Sequence, residues 1–294
     1  MEIELTSEIV RYARAKLTLT LRMLEKRSDG YNDLEAFTVF LPSISDQIKI
    51  TEDDTKTSFE VVSEDDVPAD HSNLVNKAIE IFLDHERIAD KEKVNLNFDL
   101  TKIIPMAAGL GGGSADAAAT LNALNFIYND ELTMTELMYL AAELGSDVTP
   151  CLYSQALIMR GRGDLIDLVD DFFIDELHAL IVTPKITCST PEVYSHYDKL
   201  GRPKDEGIQA HKQLNKYIEY HVNDLAIAAY DLYPDLKEIK NQIEASAGLS
   251  FVLAGSGSSF FAIEEPDNII QAKEALLQSD YANDFRLCEN STII

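Results

Sequence analysis

The sequence has few cysteines, few basic residues and no long apolar run. Its three cysteines, Cys151, Cys188 and Cys288, lie far apart without CxxC spacing, which argues against a structural zinc site and against a disulfide framework. No run of about 18 apolar residues predicts a membrane helix. The N-terminal residues lack the basic and apolar regions of a signal peptide. We therefore expect a cytoplasmic protein in a reducing compartment.

Positively charged residues are scarce. The sequence has 25 Lys and Arg and 51 Asp and Glu, which gives a formal net charge of −26. A field of that sign disfavours nucleic acid and anionic membranes as partners. It also repels phosphates at long range, so a phosphate site in this chain must be locally basic or assisted by a metal ion. An acidic surface that merely keeps the protein soluble explains the composition equally well.

The length of 294 residues suits one large or two medium domains, and 46% apolar residues suffice for a full core. Hydrophobic periodicity predicts strands and helices that do not alternate as regular βαβ units, so the predicted fold class is α+β. The predicted strands cover residues 9–20, 36–50, 94–100, 156–159, 178–183, 251–254, 260–263 and 285–288. The predicted helices cover 73–86, 114–128, a segment opened by the capping box at Thr133, 208–230, 234–246 and 266–278.

The most informative stretch is residues 105–119, Pro-Met-Ala-Ala-Gly-Leu-Gly-Gly-Gly-Ser-Ala-Asp-Ala-Ala-Ala, which we name the glycine segment. It holds four of the thirteen glycines and lies between a strand-like run and an alanine-rich helix. Glycine permits positive φ and close approach of the backbone to a ligand, and the first N–H groups of a helix are unpaired. This combination predicts an anion site, most often for phosphate. The alternative is a glycine-rich turn packed tightly against its neighbours.

The three commonest phosphate loops do not fit the glycine segment. A P-loop requires a lysine after the last glycine, where this chain has Ser114. A dinucleotide fingerprint requires GxGxxG, and here Ser114 stands at the third glycine position. The VAIK-like lysine, HRD loop and DFG of protein kinases are absent. Residue chemistry alone therefore leaves a phosphate loop of another kind.

The glycine segment resembles the ATP loop of the GHMP kinase superfamily, and two other segments support that resemblance. Residues 13–19, Ala-Arg-Ala-Lys-Leu-Thr-Leu, resemble the N-terminal motif, and residues 253–262 resemble the C-terminal glycine motif. Within the superfamily, four further stretches resemble the 4-diphosphocytidyl-2-C-methyl-D-erythritol kinase family. They are residues 27–34, 144–148, 160–164 and 189–194. In that family the last of them is a strand end.

The resemblance implies a two-domain GHMP kinase fold. Its N-terminal domain is similar to domain 2 of ribosomal protein S5 and binds ATP, and its C-terminal domain is ferredoxin-like and lies on the substrate side. We place the N-terminal domain at residues 1–157 and the C-terminal domain at 158–294. The implied reaction is ATP- and Mg²⁺-dependent phosphorylation of the 2-hydroxyl of a cytidine-diphospho methylerythritol.

The resemblance also implies two catalytic residues. Asp147 matches the general base that accepts the hydroxyl proton, and Lys16 matches the lysine that orients the base and the acceptor and offsets developing charge. The residues alone leave other roles open. Asp147 follows a helix that Gly145 ends, on a segment expected to be irregular, where an aspartate can simply cap the next turn. Lys16 can be a solvated lysine on an edge strand.

The resemblance assigns an ATP site along the glycine segment and at two further positions. Asn73 and Lys102 match the adenine end. Ser114 is expected as helix N-cap and as a ligand of Mg²⁺ near the phosphates. The segment residues assigned to ATP are Pro105, Met106, Ala107, Ala108, Gly109, Leu110, Gly111, Gly112, Gly113, Ser114 and Ala115.

The acceptor side departs from the family pattern. Asn32 stands in place of histidine, Thr18 in place of asparagine, and Thr149 and Arg14 in place of prolines. These departures keep two alternatives open: a GHMP kinase for another small alcohol, or a catalytically weak nucleotide-binding protein. We expect a monomer or homodimer. The residues assigned to the acceptor are Thr18, Tyr31, Asn32, Tyr194, Gly255, Ser256 and Gly257.

Overall fold

The computed structural model describes residues 8–91, 94–169, 178–202 and 222–294. The chain divides into two compact units, each assembled from three stretches of chain. Unit 1 comprises Met1–Ala15, Ser45–Met106 and Gly111–Ser154. Unit 2 comprises Lys16–Ile44, Ala107–Leu110 and Gln155–Ile294. The boundary that we place after residue 157 stays a prediction.

Unit 1 is built around strand β4, which pairs with β2 on one side and with β3 on the other. The β2 pairing is antiparallel, with Gln47 opposite Thr101 and Glu52 opposite Leu96, and the β3 pairing is parallel. The first two strands of the chain, β1 (Ile9–Lys26) and β2 (Asn32–Glu52), contribute residues to both units. The other bounds are β3 Ser58–Val62, β4 Leu96–Thr101, α1 Leu74–Leu83, α2 Glu86–Ala89, α3 Gly112–Ile127, α4 Met134–Leu144 and α5 Val148–Tyr153.

The core of unit 1 follows from two sequence patterns. Leu96, Phe98 and Leu100 alternate along β4 and are buried, and each such burial stabilises the fold by about 1.5–3 kcal/mol. Helix α3 is buried nearly all round because its alanines allow neighbouring helices to approach closely, and it packs against α1, α4 and α5. The helix that follows the glycine segment is therefore fixed in the core of unit 1.

Unit 2 contains a four-stranded antiparallel sheet in the order β10-β7-β9-β8. Helices lie between β7 and β8 and between β9 and β10, so the order along the chain and in the sheet is ferredoxin-like, as predicted. In the same unit, the first part of β2 pairs with β5, and β5 pairs with β6. The bounds are β5 Leu157–Gly161, β6 Leu165–Leu168, β7 His178–Pro184, β8 Val252–Leu253, β9 Phe260–Glu264, β10 Phe285–Thr292, α6 Thr190–Lys199, α7 Ala226–Leu232, α8 Asp235–Ala247 and α9 Pro266–Leu277.

The elements agree with the predicted α+β fold, although β3, β6 and α5 lie outside the predicted segments and two predicted segments need correction. The stretch at 189–194, expected at a strand end, instead begins helix α6, because Ser189 is its N-cap and a proline follows in the first turn. Of the helix predicted at 208–230, residues 208–221 lie outside the described residues, and α7 begins at Ala226. The capping box that opens α4 is confirmed, since the side chains of Thr133 and Glu136 each bond the backbone of the other.

Two further observations concern the cysteines and the helix lengths. All three cysteines lie within the described residues, are buried and form no disulfide with one another. Across the described ranges, no helix has both the length and the apolar character that a membrane crossing requires.

Candidate active site

In unit 1 the glycine segment opens directly onto α3, as predicted, but the helix begins two residues before Ser114. Helix α3 starts at Gly112, and its N-cap is Gly111 at φ 65°, a left-handed conformation that favours glycine. A glycine N-cap has no side chain to bond the first N–H groups of the helix, so the anion-binding character of this end is retained. Ser114 is the third residue of the helix, and its predicted role as N-cap is therefore wrong.

A buried charge cluster adjoins the start of α3. The Nζ atom of Lys102 donates to Asp46 Oδ2 and, at 2.7 Å, to Asp116 Oδ2. All three side chains are at most 5% exposed. A Cβ atom added to Gly112 would lie 3.1 Å from Lys102 Nζ. Lys102 thus lies at the glycine segment, and the adenine contact predicted for it stays a prediction.

One ammonium group cannot neutralise two buried carboxylates, and the pKa values reflect this. Burial raises the pKa of Asp116 to about 8, against the attraction of Lys102 and with further repulsion from Asp46. Burial alone would lower the pKa of Lys102, but the charges of Asp116 and Asp46 outweigh it and hold that pKa above its ordinary value. A proton on Asp116 makes the cluster neutral, with Asp46 as the ion-pair partner of the lysine.

This proton predicts a pH-dependent stability that Asp116→Asn should remove. Unfolded aspartate titrates near pH 4, so between about pH 4 and 8 the folded state holds a proton that the unfolded state has lost. The free energy of unfolding of the wild type should therefore fall, relative to the variant, by up to about 1.4 kcal/mol per pH unit across that window. Denaturant unfolding of both proteins at pH 5, 6, 7 and 8 measures it. If the free energy of unfolding of the wild type, minus that of the variant, stays constant or rises with pH, Asp116 does not hold this proton in the folded state.

Two polar residues of unit 1, Asn73 and Asp65, form hydrogen bonds to backbone groups. Asn73, predicted at the adenine end, is the N-cap of α1, where its Oδ1 accepts from the Val75 N–H at 2.9 Å and its Nδ2 donates to the Pro68 carbonyl at 2.7 Å. Asp65 accepts from the Met106 N–H at 2.7 Å. The carboxamide of Asn73 is thus engaged in capping, and an additional nucleotide contact stays a prediction.

Asp147 lies at the start of a short helix rather than on an irregular segment. It is the N-cap residue of α5, but its backbone is helical, at φ −81° and ψ −12°, and its side chain makes no capping hydrogen bond. The capping role considered from the sequence is therefore not the role of this carboxylate. The side chain is half-buried, which leaves it partly accessible to solvent and to a reactant.

In unit 2 two glycine-rich turns pack backbone to backbone. Residues 107–110 of the glycine segment meet residues 254–259, and the Ser259 N–H donates to the Ala108 carbonyl at 3.0 Å. Gly109 has φ +76°, and a Cβ there would lie 2.6 Å from the Ala254 oxygen and 2.8 Å from the Gly257 oxygen. The two motifs that resemble one superfamily are therefore joined in unit 2, with no room for a side chain at position 109.

The predicted lysine lies in contact with the same segment. The Lys16 N–H donates to the Leu110 carbonyl at 2.8 Å, and the residue is only 5% exposed. Thr18, one of the departures from the family pattern, is buried on the same strand. Lys16 is therefore not a solvated lysine on an edge strand.

The C-terminal glycine turn is held by two side chains. Ser256 and Thr190 share a hydrogen bond of 2.8 Å between their hydroxyls, which ties the turn to the start of α6, the helix that carries Tyr194. Asn223 donates to the carbonyls of Leu253 and Gly255 at 2.8 and 2.7 Å. Gly257 adjoins Cys188, whose thiol pKa is raised to about 11 by burial.

The predicted acceptor residues Tyr31 and Asn32 lie at the start of β2 in unit 2. The Arg162 guanidinium lies over the Tyr31 ring, 4.9 Å from its centroid, and Tyr31 is still 56% exposed. Asn32 Oδ1 is buried and has no hydrogen-bond partner among the described residues. A buried acceptor without a partner is costly, so this atom suits a ligand that donates a hydrogen bond.

Sequence reasoning missed four residues of these sites, because their roles depend on distant partners. Asp46 and Asp116 are 56 and 14 residues from Lys102, and Asn223 is 32 residues from the glycine that it holds. Arg162 lies beside Tyr31 only through the pairing of β2 with β5. Among the described residues, no group of three or more His, Cys, Asp or Glu side chains is arranged to hold a metal ion.

Comparison with known proteins shows family profiles and relatives that are similar to this chain. The family profile for the N-terminal domain of GHMP kinases matches residues 73–155, and that for the C-terminal part of GHMP kinases matches residues 206–283. A 4-diphosphocytidyl-2-C-methyl-D-erythritol kinase of Methylacidiphilum infernorum is 38% identical over 90% of this chain and 92% of its own. The enzyme of that name from Bacillus subtilis is 32% identical over 90% of both chains.

A solved structure agrees with these relatives. The crystal structure of a 4-(cytidine 5'-diphospho)-2C-methyl-D-erythritol kinase matches with a TM-score of 0.76 and 29% identity. The match covers 97% of this chain and 99% of that one. The chain therefore belongs to the 4-diphosphocytidyl-2-C-methyl-D-erythritol kinase family of the GHMP kinases.

Proposed function

We propose that the protein transfers the γ-phosphoryl group of ATP to the 2-hydroxyl of 4-diphosphocytidyl-2-C-methyl-D-erythritol. The observation that carries the proposal is the 38% identity, over nine-tenths of both chains, to a relative that bears this enzyme's name. The glycine-rich backbone of residues 109–113 and the two predicted catalytic residues support it. Phosphoryl transfer depends mostly on positioning and on stabilisation of charge.

The proposed reaction needs one base. The substrate hydroxyl oxygen bonds to the γ-phosphorus while its proton passes to the Asp147 carboxylate, and the bond from the γ-phosphorus to the bridging oxygen breaks to release ADP. A carboxylate that does not cap its own helix can accept this proton.

The proposed charge stabilisation comes from Lys16. The backbone N–H of Lys16 donates a hydrogen bond to the Leu110 carbonyl of the glycine segment. The residue is buried, and a charge acts more strongly in a buried site than in water. We assign to Lys16 the offset of negative charge as the new bond forms.

The residues present fit ATP with Mg²⁺. The left-handed Gly111 leaves the first N–H groups of α3 without a side-chain cap, which suits the phosphates. Because Asp46 cancels the charge of Lys102 while Asp116 holds a proton, this part of unit 1 offers backbone N–H groups rather than net positive charge, so a cation beside the phosphates is expected. The Ser114 hydroxyl would hold Mg²⁺, which when bound neutralises phosphate charge.

The proposed cytidine subsite uses Tyr31, Asn32 and Tyr194. Tyr31 is exposed enough to stack with a base, and the unpartnered Asn32 Oδ1 suits the amino group of cytosine. Thr18 and the turn Gly255-Ser256-Gly257 are proposed to line the methylerythritol end. ATP and the small-molecule acceptor are the proposed partners; a monomer or homodimer in the cytoplasm stays a prediction.

A kinase for another small alcohol is the second candidate, and Asn32 and Thr18 are the observations that favour it, because both depart from the family pattern. Turnover of a panel containing the cytidine-diphospho substrate, mevalonate, homoserine and sugar alcohols separates the two. We expect kcat/KM for the cytidine-diphospho substrate to exceed the others by at least about 100-fold, as expected where buried polar groups pair with the substrate. A higher value for another alcohol would replace the proposed substrate.

A further inference from the structure

The buried cluster of Asp46, Lys102 and Asp116 connects residues 102–104, which precede the glycine segment, to the second turn of α3. On the entering side, Asp46 Oδ1 accepts the backbone N–H groups of Ile103 and Ile104 at 2.5 and 2.8 Å. On the leaving side, Asp116 lies in the second turn of α3. Lys102 bonds both carboxylates, so a continuous chain of hydrogen bonds runs from the end of β4 to the helix that follows the glycines.

The start of α3 is packed closely against two members of this region. A Cβ atom at Gly112 would lie 2.9 Å from Ile104 Cγ2 and 3.1 Å from Lys102 Nζ, so the first residue of α3 rests directly on these two side chains. A shift of Lys102 or Ile104 would therefore move the first N–H groups of the helix. Removing one member of the cluster leaves a buried polar partner without its hydrogen bond, and the backbone that these side chains support then loses its fixed position.

We propose that Asp46, Lys102 and Asp116 form a clamp that sets the position of the phosphate-binding backbone at the start of α3. The three are positioning residues, and Lys102 acts through the carboxylates rather than by contact with the nucleotide. The inference rests on the proposed function in one respect, that this backbone binds the phosphates of ATP. It adds Asp46 and Asp116 to the residues that determine ATP affinity.

The test is calorimetric titration of folded variants with Mg²⁺ and a non-hydrolysable ATP analogue, together with the KM for ATP and kcat. Lys102→Met and Asp116→Leu should each weaken analogue binding by on the order of 10- to 100-fold, with a smaller change in kcat at saturating ATP. Asp116→Asn should stay within about threefold of wild type, because its amide oxygen still accepts from Lys102 and the Lys102–Asp46 pair remains neutral. If Asp116→Leu does not fold, Asp46→Asn takes its place. We expect Asp46→Asn to weaken analogue binding more than Asp116→Asn does and less than Lys102→Met does.

Three results would overturn the clamp. If Lys102→Met loses affinity while Asp116→Leu and Asp46→Asn bind like wild type, Lys102 contacts the nucleotide itself. If every folded variant binds like wild type, the cluster serves stability alone. If the wild type binds no analogue, both the clamp and the proposed function are overturned. If the wild type binds the analogue but does not phosphorylate the proposed acceptor, the proposed function is contradicted, and the clamp is then judged by the binding data of the variants.

Discussion

Asp147→Asn should lower kcat by about 10³-fold or more, while the KM for ATP changes by less than about threefold. Asparagine has the shape of aspartate but cannot accept the hydroxyl proton. Because the Asp147 side chain makes no capping hydrogen bond to α5, the substitution removes no helix cap. Steady-state ADP release with the cytidine-diphospho substrate measures both constants.

The matched control for Asp147→Asn is Glu143→Gln. Glu143 is an exposed carboxylate on α4, four residues before Asp147, so its loss changes the net charge equally without removing the proposed base. The control should retain kcat within about twofold, as surface substitutions usually do. A kcat for Asp147→Asn within tenfold of wild type would show that another group accepts the proton.

Gly109→Ala should lower kcat/KM for ATP by about 100-fold and destabilise the fold by about 2–4 kcal/mol. Two costs add at this position. Alanine resists the left-handed conformation at φ +76°, and its methyl group would lie 2.6 and 2.8 Å from two backbone oxygens that have no flexible side chain to yield. The turn at 254–259 must therefore move away from the glycine segment.

The variant Gly248→Ala separates the cost of the left-handed backbone conformation from the cost of steric overlap. Gly248 also lies in unit 2 with φ +70°, but no atom lies within 4 Å of an added Cβ. It should cost about 1 kcal/mol of stability and leave the kinetic constants unchanged. Chemical denaturation and steady-state kinetics of both variants make the comparison. Equal behaviour of the two would mean that the contact between the glycine turns has no influence on ATP use.

Local signals predicted much of the fold. Alternation along Leu96, Phe98 and Leu100 indicated β4, and the capping box at Thr133 opened α4 where expected. The errors fell where two local signals compete. Pro150 lies within the six-residue helix that follows Asp147, and a proline near a helix start is compatible with either a helix or an irregular segment.

The charge environment of Lys102 could not be predicted in the same way. The resemblance assigned Lys102 to the adenine end, and its two carboxylate partners come from β2 and α3, which only the tertiary fold brings to it. Likewise, the need for glycine at 109 arises from a turn 145 residues further along the chain. Motif resemblance named the candidate residues, and the contacts around them required the three-dimensional arrangement.

The most direct measurement of the central claim uses purified protein, Mg²⁺, ATP labelled in the γ-phosphate, and 4-diphosphocytidyl-2-C-methyl-D-erythritol. The label should transfer to the acceptor with one ADP formed per product, and phosphorus NMR should place the new phosphate on the 2-hydroxyl oxygen. Absence of transfer to this acceptor, in a preparation that still binds ATP, would contradict the account.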